Sequence, residues 1–254
     1  MRRVERWLRH HVLGNRAAPL ASFRLSLAEA EARRAGAAIE EVFYSGECRL
    51  VDKWVDYLPI YERFFATYRG TAVTMIEIGV SEGGSLDMWR AYFGDNATIF
   101  GIDIEPSCAT KVDPPNQVRI GSQSDEAFLK SVIEETGAPD IVLDDGSHIA
   151  DDQIASFRFL WPELKDGGLY MIEDTHTAYW PQFGGGHRRS GTAIDLAKCL
   201  VDDMHGWYHT RDNRYAPEDE IAGVHIFESI IVIEKRKKLR PGYIAIERSH
   251  KTTG

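Results

Sequence analysis

A chain of 254 residues with 43% hydrophobic content is long enough to bury one large core and short enough to be one catalytic domain. Its 39 acidic residues outnumber 30 Lys and Arg, and the formal net charge of −9 excludes a general affinity for nucleic acid, which Lys and Arg provide. Cys48, Cys108 and Cys199 are odd in number and lack C-x-x-C spacing, which excludes a disulfide framework and a zinc site and points to a reducing cytoplasm.

The start, Met1 to His11, is basic, but its apolar residues are too interrupted for a signal peptide, and no run in the chain is long enough to cross a bilayer. It reads as a helix packed on its own domain, with a membrane surface or another subunit as the alternative contact. Residues before about 70 look helical: Leu25 to Ala38 is rich in Ala and Glu, and Tyr57 to Phe65 is aromatic at helical spacing, a stripe expected in the core. We therefore expect a helical extension over 1–70 and the catalytic domain over 71–254.

From Thr74 the pattern alternates between strand and helix. Thr74–Val80, Thr98–Ile104, Gln117–Ser122, Asp140–Asp144 and Gly168–Glu173 are the expected strands, which predicts an α/β, doubly wound, mostly parallel sheet. The polar stretch from Trp180 to Val224, which contains Gly184 to Gly191, is expected as a mobile loop near the site. At the end, Val224–Glu234 and Tyr243–Glu247 read as two strands joined by a charged turn at Pro241-Gly242, an antiparallel hairpin that closes the sheet.

Acids crowd at the ends of two of these strands: Asp144-Asp145-Gly146-Ser147-His148, and Glu173-Asp174 after Ile172. Ligands of an open parallel sheet collect beyond its carboxyl ends. A single acid there serves equally as a helix cap or an Arg partner. Two clusters at neighbouring strand ends predict a cation site instead, with Asp145, Glu173 and Asp174 supplying hard oxygen ligands to Mg²⁺ and His148 placed to move a proton. His176 is the second-choice base.

The first strand runs into Glu77-Ile78-Gly79-Val80-Ser81-Glu82-Gly83-Gly84-Ser85, a Gly-rich turn that does not match the dinucleotide spacing. A carboxylate inside that strand suits a ligand bearing an amine or other cation, and Asp103 at the end of the second strand can chelate ribose hydroxyls, although alone it also reads as a helix cap. Together these features suit S-adenosylmethionine, held by Glu77, Gly79, Ser81, Gly83, Ser85, Asp103, Ile104, Ser122, Gln123 and Asp144. The same turn also matches the G-x-S-x-G nucleophile elbow, with Ser81 as a hydrolase nucleophile, but that fold builds several strands before its elbow and here the preceding segment is helical.

From Asp52 to Phe183 these residues resemble the metal-dependent sugar O-methyltransferases of macrolide tailoring, in particular the mycinamicin-type deoxysugar 2''-O-methyltransferases, and more distantly the cephalosporin-hydroxylase-like and rhamnosyl O-methyltransferase group. The likeness runs through Lys53-Trp54 with Tyr57, Tyr61 and Glu62-Arg63, Glu77 to Val80, Gly83 to Leu86, Gly101 to Asp103, Gly121 to Gln123, Asp144 to His148, Ile172 to Thr175, and Tyr179-Trp180. It implies a class I, Rossmann-like S-adenosylmethionine-dependent methyltransferase domain, with Asp145, Glu173 and Asp174 on Mg²⁺, Asp145 and His148 as catalytic residues, and His148 as general base. The family carries a substantial auxiliary domain before this core, where this sequence has a shorter helical segment, so the acceptor it implies is a small-molecule carbohydrate hydroxyl. A homo-oligomer is expected from the helical extension. The alternatives are a hydroxylase-like reaction on the same fold and a noncatalytic binding or assembly protein.

Overall fold

The computed structural model of the chain describes residues 24–246. The basic start and Glu247 lie outside the described residues. Seven strands form one sheet in the order β3-β2-β1-β4-β5-β7-β6: β1 Thr74–Ile78, β2 Thr98–Asp103, β3 Gln117–Ile120, β4 Ile141–Asp144, β5 Leu169–Ile172, β6 Ile221–Phe227 and β7 Ile230–Lys235. The first five are parallel, as expected, and β7 lies antiparallel between β5 and β6. The chain reverses at β1, so the cleft between the carboxyl ends of β1 and β4 is where a ligand belongs.

The pleat sorts the core onto both faces. Met75, Ile141, Leu143, Met171 and Val232 face one layer, which includes α2 (Ala38–Tyr44), α3 (Leu58–Phe65) and α4 (Gly84–Phe93). Ile76, Ile78, Val142, Tyr170 and Ile172 face the other, which includes α5 (Glu126–Thr136), α6 (Ala150–Glu163) and α7 (Ala193–Met204). The expected helix over Leu25 to Ala38 is instead a short α1, Leu27–Glu31, and the later α2, separated by Gly36 at φ +78°. Ser26 and Glu29 close a capping box on α1.

Two expectations are corrected. The hairpin turn falls at Glu228-Ser229, inside the run read as a single strand, and 236–246 form no strand. Ser229 takes φ +64°, which supplies the tight reversal, and β7 can then pair with β5 from Ile172↔Ile231 to Leu169↔Glu234. Secondly, the segment read as a mobile loop contains α7. Its Ala193, Leu196, Ala197 and Leu200 recur at helical spacing and are all buried in the second core, and Thr192 caps it by accepting from the Asp195 amide.

Candidate active site

Register places the acids. Ile78, Asp144 and Ile172 are partners across β1, β4 and β5, so the next residues, Gly79, Asp145 and Glu173, leave the sheet side by side. Strand geometry thus brings two negative charges to adjacent ends, and a third segment neutralises part of that charge. Lys53, from the stretch before α3, puts Nζ 2.5 Å from Asp145 Oδ2, 2.8 Å from Glu173 Oε2 and 3.8 Å from Glu77 Oε1. Burial opposes charge on that ammonium, but the pull of Asp145, Glu173 and Glu77 outweighs it and holds the Lys53 pKa well above its usual range. Burial and the neighbouring Asp145 charge raise Glu173 in turn, because the cluster holds more carboxylates than ammonium groups.

Tyr57 and Tyr61, one turn apart on the same helical stretch, bury their rings in the core and extend their hydroxyls to the acids. Tyr61 Oη donates to Glu173 Oε1. Tyr57 Oη is 2.9 Å from both Asp174 Oδ1 and the Ser229 carbonyl, and accepts from the Asp174 amide at 3.3 Å. Asp174 faces His148, with Nε2 3.6 Å from Oδ2. Donor atoms of Asp145, His148 and Asp174 all lie within 4.8 Å of one another, the grouping among the described residues that could hold a metal ion. Of the expected metal set, Asp145 and Asp174 are therefore brought together with His148, whereas Glu173 stands beside them through the Lys53 it shares with Asp145. Oxygen-rich donors of this kind suit a hard divalent cation. His148 and Asp174 both hold left-handed backbone, at φ +57° and +52°, a conformation uncommon for residues with a side chain but better tolerated by Asp and His than by most.

His176 lies at the edge of this grouping, with Nδ1 4.0 Å from Asp174 Oδ1. Its Nδ1 is 2.5 Å from Ser229 Oγ and its ring packs on Trp54 and Trp180. Burial lowers its pKa, against the opposing pull of Asp174.

Of the expected cofactor residues, Glu77 is fully buried and accepts from Ser85 Oγ at 2.8 Å, while its Oε1 makes no hydrogen bond among the described residues. That oxygen faces the Lys53 ammonium at 3.8 Å, and a buried carboxylate oxygen without a hydrogen bond leaves room for a further cationic ligand. Burial, only partly offset by Lys53, pushes Glu77 up to about 7. Its folded value lies above its ordinary 4.5, so the native state holds the proton more tightly and stability is lost as pH rises from about 4.5 to about 7. Glu77→Gln is accordingly expected to raise stability above pH 7, with the gain shrinking toward pH 4.5, and to weaken cofactor binding. Urea titrations across pH check the first effect; an unchanged stability profile would contradict it.

Gly79 has φ +96°, and a Cβ there would sit 2.0 Å from the Asp145 carbonyl oxygen. Gly79→Ala is expected to cost about 3 kcal/mol through strain and overpacking, and to weaken cofactor binding by separating β1 from β4. Denaturant unfolding with a cofactor titration measures both; a neutral substitution would contradict the close approach. Beyond it, Asp103 anchors the turn by accepting from the Val80, Ser81 and Glu105 amides at 2.9, 3.0 and 2.8 Å. Ser81 spends its amide on Asp103 and its carbonyl on Lys111 Nζ, 2.9 Å away. Gly83, at φ +83°, caps α4. Ile104 is exposed at the end of β2, and Ser122 pairs with Ser124.

Gln123 and Asp144 form a buried network: Gln123 Nε2 donates to Asp144 Oδ1 at 3.0 Å, its Oε1 accepts from the Ser147 amide at 2.8 Å, and Ser156 Oγ donates to Asp144 Oδ2 at 2.6 Å. Burial raises Asp144 to about 6 against those hydrogen bonds. The pair fixes the loop that carries Asp145 and His148.

A methyltransferase-domain family model matches residues 76–175. The chain is 41% identical over 195 residues to the 8-demethyl-8-(2-methoxy-alpha-L-rhamnosyl)-tetracenomycin-C 3'-O-methyltransferase of Streptomyces olivaceus, covering 72% of this chain and 50% of that protein. It is 38% identical to the mycinamicin VI 2''-O-methyltransferase of Micromonospora griseorubida, covering 70% and 48%. The solved structure of the MycE methyltransferase from the mycinamycin biosynthetic pathway, in complex with Mg, SAH and mycinamycin VI, superposes with a TM-score of 0.68 at 35% identity, covering 75% of this chain and 52% of that one. The chain spans about half the length of the curated relatives it matches. It has the class I S-adenosylmethionine-dependent methyltransferase fold and is a homologue of the sugar O-methyltransferases of macrolide and tetracenomycin pathways.

Proposed function

We propose that the chain transfers the methyl group of S-adenosylmethionine to a hydroxyl of a carbohydrate acceptor, with Mg²⁺ at the acid cluster. The observation that carries this reading is the convergence of Asp145, Asp174 and His148 within 4.8 Å, with a buried Glu77 oxygen that makes no hydrogen bond among the described residues. Charge supports it: Lys53 faces the carboxyl groups of Glu77, Asp145 and Glu173, and the raised Glu77 and Glu173 mark a cluster short of positive charge, which a divalent cation and a cationic cofactor would supply. Asp145 and Asp174, with Glu173 adjacent, would hold Mg²⁺, which when bound would supply Lewis-acid stabilisation of negative charge developing on the acceptor hydroxyl. His148 takes the hydroxyl proton, and Asp174 favours the resulting imidazolium. The oxygen then forms its bond to the methyl carbon as the carbon–sulfur bond breaks, releasing S-adenosylhomocysteine. Glu77 holds the cofactor's amine, and Asp103 keeps the turn at the cofactor's edge.

The domain division near residue 70 is part of the proposal. The extension supplies Lys53, Tyr57 and Tyr61, so it completes the site instead of decorating it. Among the described residues no helix is long and apolar enough to cross a membrane. The free thiols of Cys48, Cys108 and Cys199 suit a cytoplasmic setting. Exposed Leu239, Tyr243, Ile244 and Ile246 support self-association, which a monomeric mass by light scattering would contradict.

The test is methyl transfer from labelled S-adenosylmethionine to a panel of glycosides. Exhaustive EDTA treatment is expected to abolish transfer and added Mg²⁺ to restore it. Full activity after chelation would remove the metal from the account, and no transfer to any glycoside would remove the acceptor class.

A further inference from the structure

The Gly184 to Gly191 run, conspicuous in the sequence, has no part in the chemistry above, and it builds part of the wall of a small open cavity of about 140 Å³. The wall is held in place by its backbone. The Gly185 and Gly186 amides donate to the Trp180 and Ala178 carbonyls, both at 2.9 Å, and a Cβ on Gly185 would lie 2.5 Å from the Ala178 oxygen. Tyr179 also lines the cavity, 48% exposed, at the end of the turn Thr175–Tyr179 that starts directly after Asp174. At a rise of about 2 Å per residue, that turn carries the chain about 10 Å from the acid cluster, within the span of a small glycoside.

The cavity's charge is the reverse of the chain's. His187, Arg188, Arg189 and Lys198 line it, in a protein of net charge −9. The acid on the wall, Asp195, is engaged by Arg214 at 3.4 Å, and among the described residues no ion pair joins Arg188, Arg189 or Lys198 to a carboxylate. Guanidinium groups without a carboxylate partner, lining one cavity with an exposed aromatic side chain, are suited to a sugar that carries an anion, the ring taking the sugar face and the fork taking the anion.

We propose that this cavity recognises the anionic group, phosphate or carboxylate, of an acidic carbohydrate acceptor. The proposal rests on the carbohydrate methylation reading above and names the acceptor class within it. Calorimetric titrations of the full chain with glucose 1-phosphate, glucuronate and methyl glucoside, at one Mg²⁺ concentration, with and without S-adenosylhomocysteine, test it. Glucose 1-phosphate or glucuronate is expected to bind about tenfold more tightly than methyl glucoside, and whichever binds more tightly identifies the anion. The double substitution Arg188→Gln with Arg189→Gln is expected to erase that preference and leave S-adenosylhomocysteine affinity unchanged. Equal binding of the neutral glucoside, no binding of either acidic sugar, or a preference that survives the double substitution would overturn the proposal. If S-adenosylhomocysteine fails to bind while the arginine-dependent preference stands, the methylation reading falls and the anion site does not.

Discussion

Replacing Lys53 with methionine is expected to cost about 3–5 kcal/mol of stability, the loss typical when one partner of a buried charge cluster is removed. The side chain is only 3% exposed, and it faces Asp145, Glu173 and Glu77. Methionine fills similar space, so little of the loss comes from a cavity; it comes from carboxylates left without their cation. Adding Glu173→Gln to Lys53→Met should recover part of the loss, because it also removes a charge, and the two changes would then be less costly than their sum. Urea unfolding of the single and double variants measures this. Strict additivity would mean that Lys53 and Glu173 do not interact.

His148→Asn is expected to lower turnover by about 10²–10⁴-fold while leaving S-adenosylmethionine affinity near that of the parent. Asparagine is the informative replacement, because it tolerates the left-handed backbone that His148 occupies at φ +57° and so avoids an unrelated loss of structure. Steady-state rates beside a cofactor titration separate the two effects. A variant that retains full turnover would transfer the base role elsewhere, and one that loses cofactor affinity would make His148 a structural residue of the β4 loop.

The parallel part of the sheet was legible because buried strands read as short apolar runs ended by Gly or charge, and each observed strand lies within its expected range. The acids were legible for the same reason, being the first polar residues after Leu143 and Ile172. Lys53, Tyr57 and Tyr61 carried no comparable signal as partners of those acids. Tyr57 and Tyr61 have the spacing of a core stripe, which they are, and only tertiary packing reveals that their hydroxyls emerge at Asp174 and Glu173. Asp103 and Gln123 show the converse: types expected to touch ligand spend hydrogen bonds on the turn and loop that shape the cleft.

The hairpin matters beyond topology. Because the reversal falls at Glu228-Ser229, Ser229 arrives beside β5's carboxyl end, where its carbonyl meets Tyr57 and its hydroxyl meets His176. Glu228-Ser229 is hard to read because it interrupts Val224 to Glu234 with polar residues that also fit one alternating strand, and neither is the glycine that a turn with positive φ favours.

Calorimetric titration of the metal-stripped full chain with S-adenosylhomocysteine tests the central claim most directly, since the site is argued to be a methyltransferase's cofactor cleft. The account predicts saturable binding of one molecule per chain, weakened in Glu77→Gln. No binding to a folded protein, with or without Mg²⁺, would contradict it.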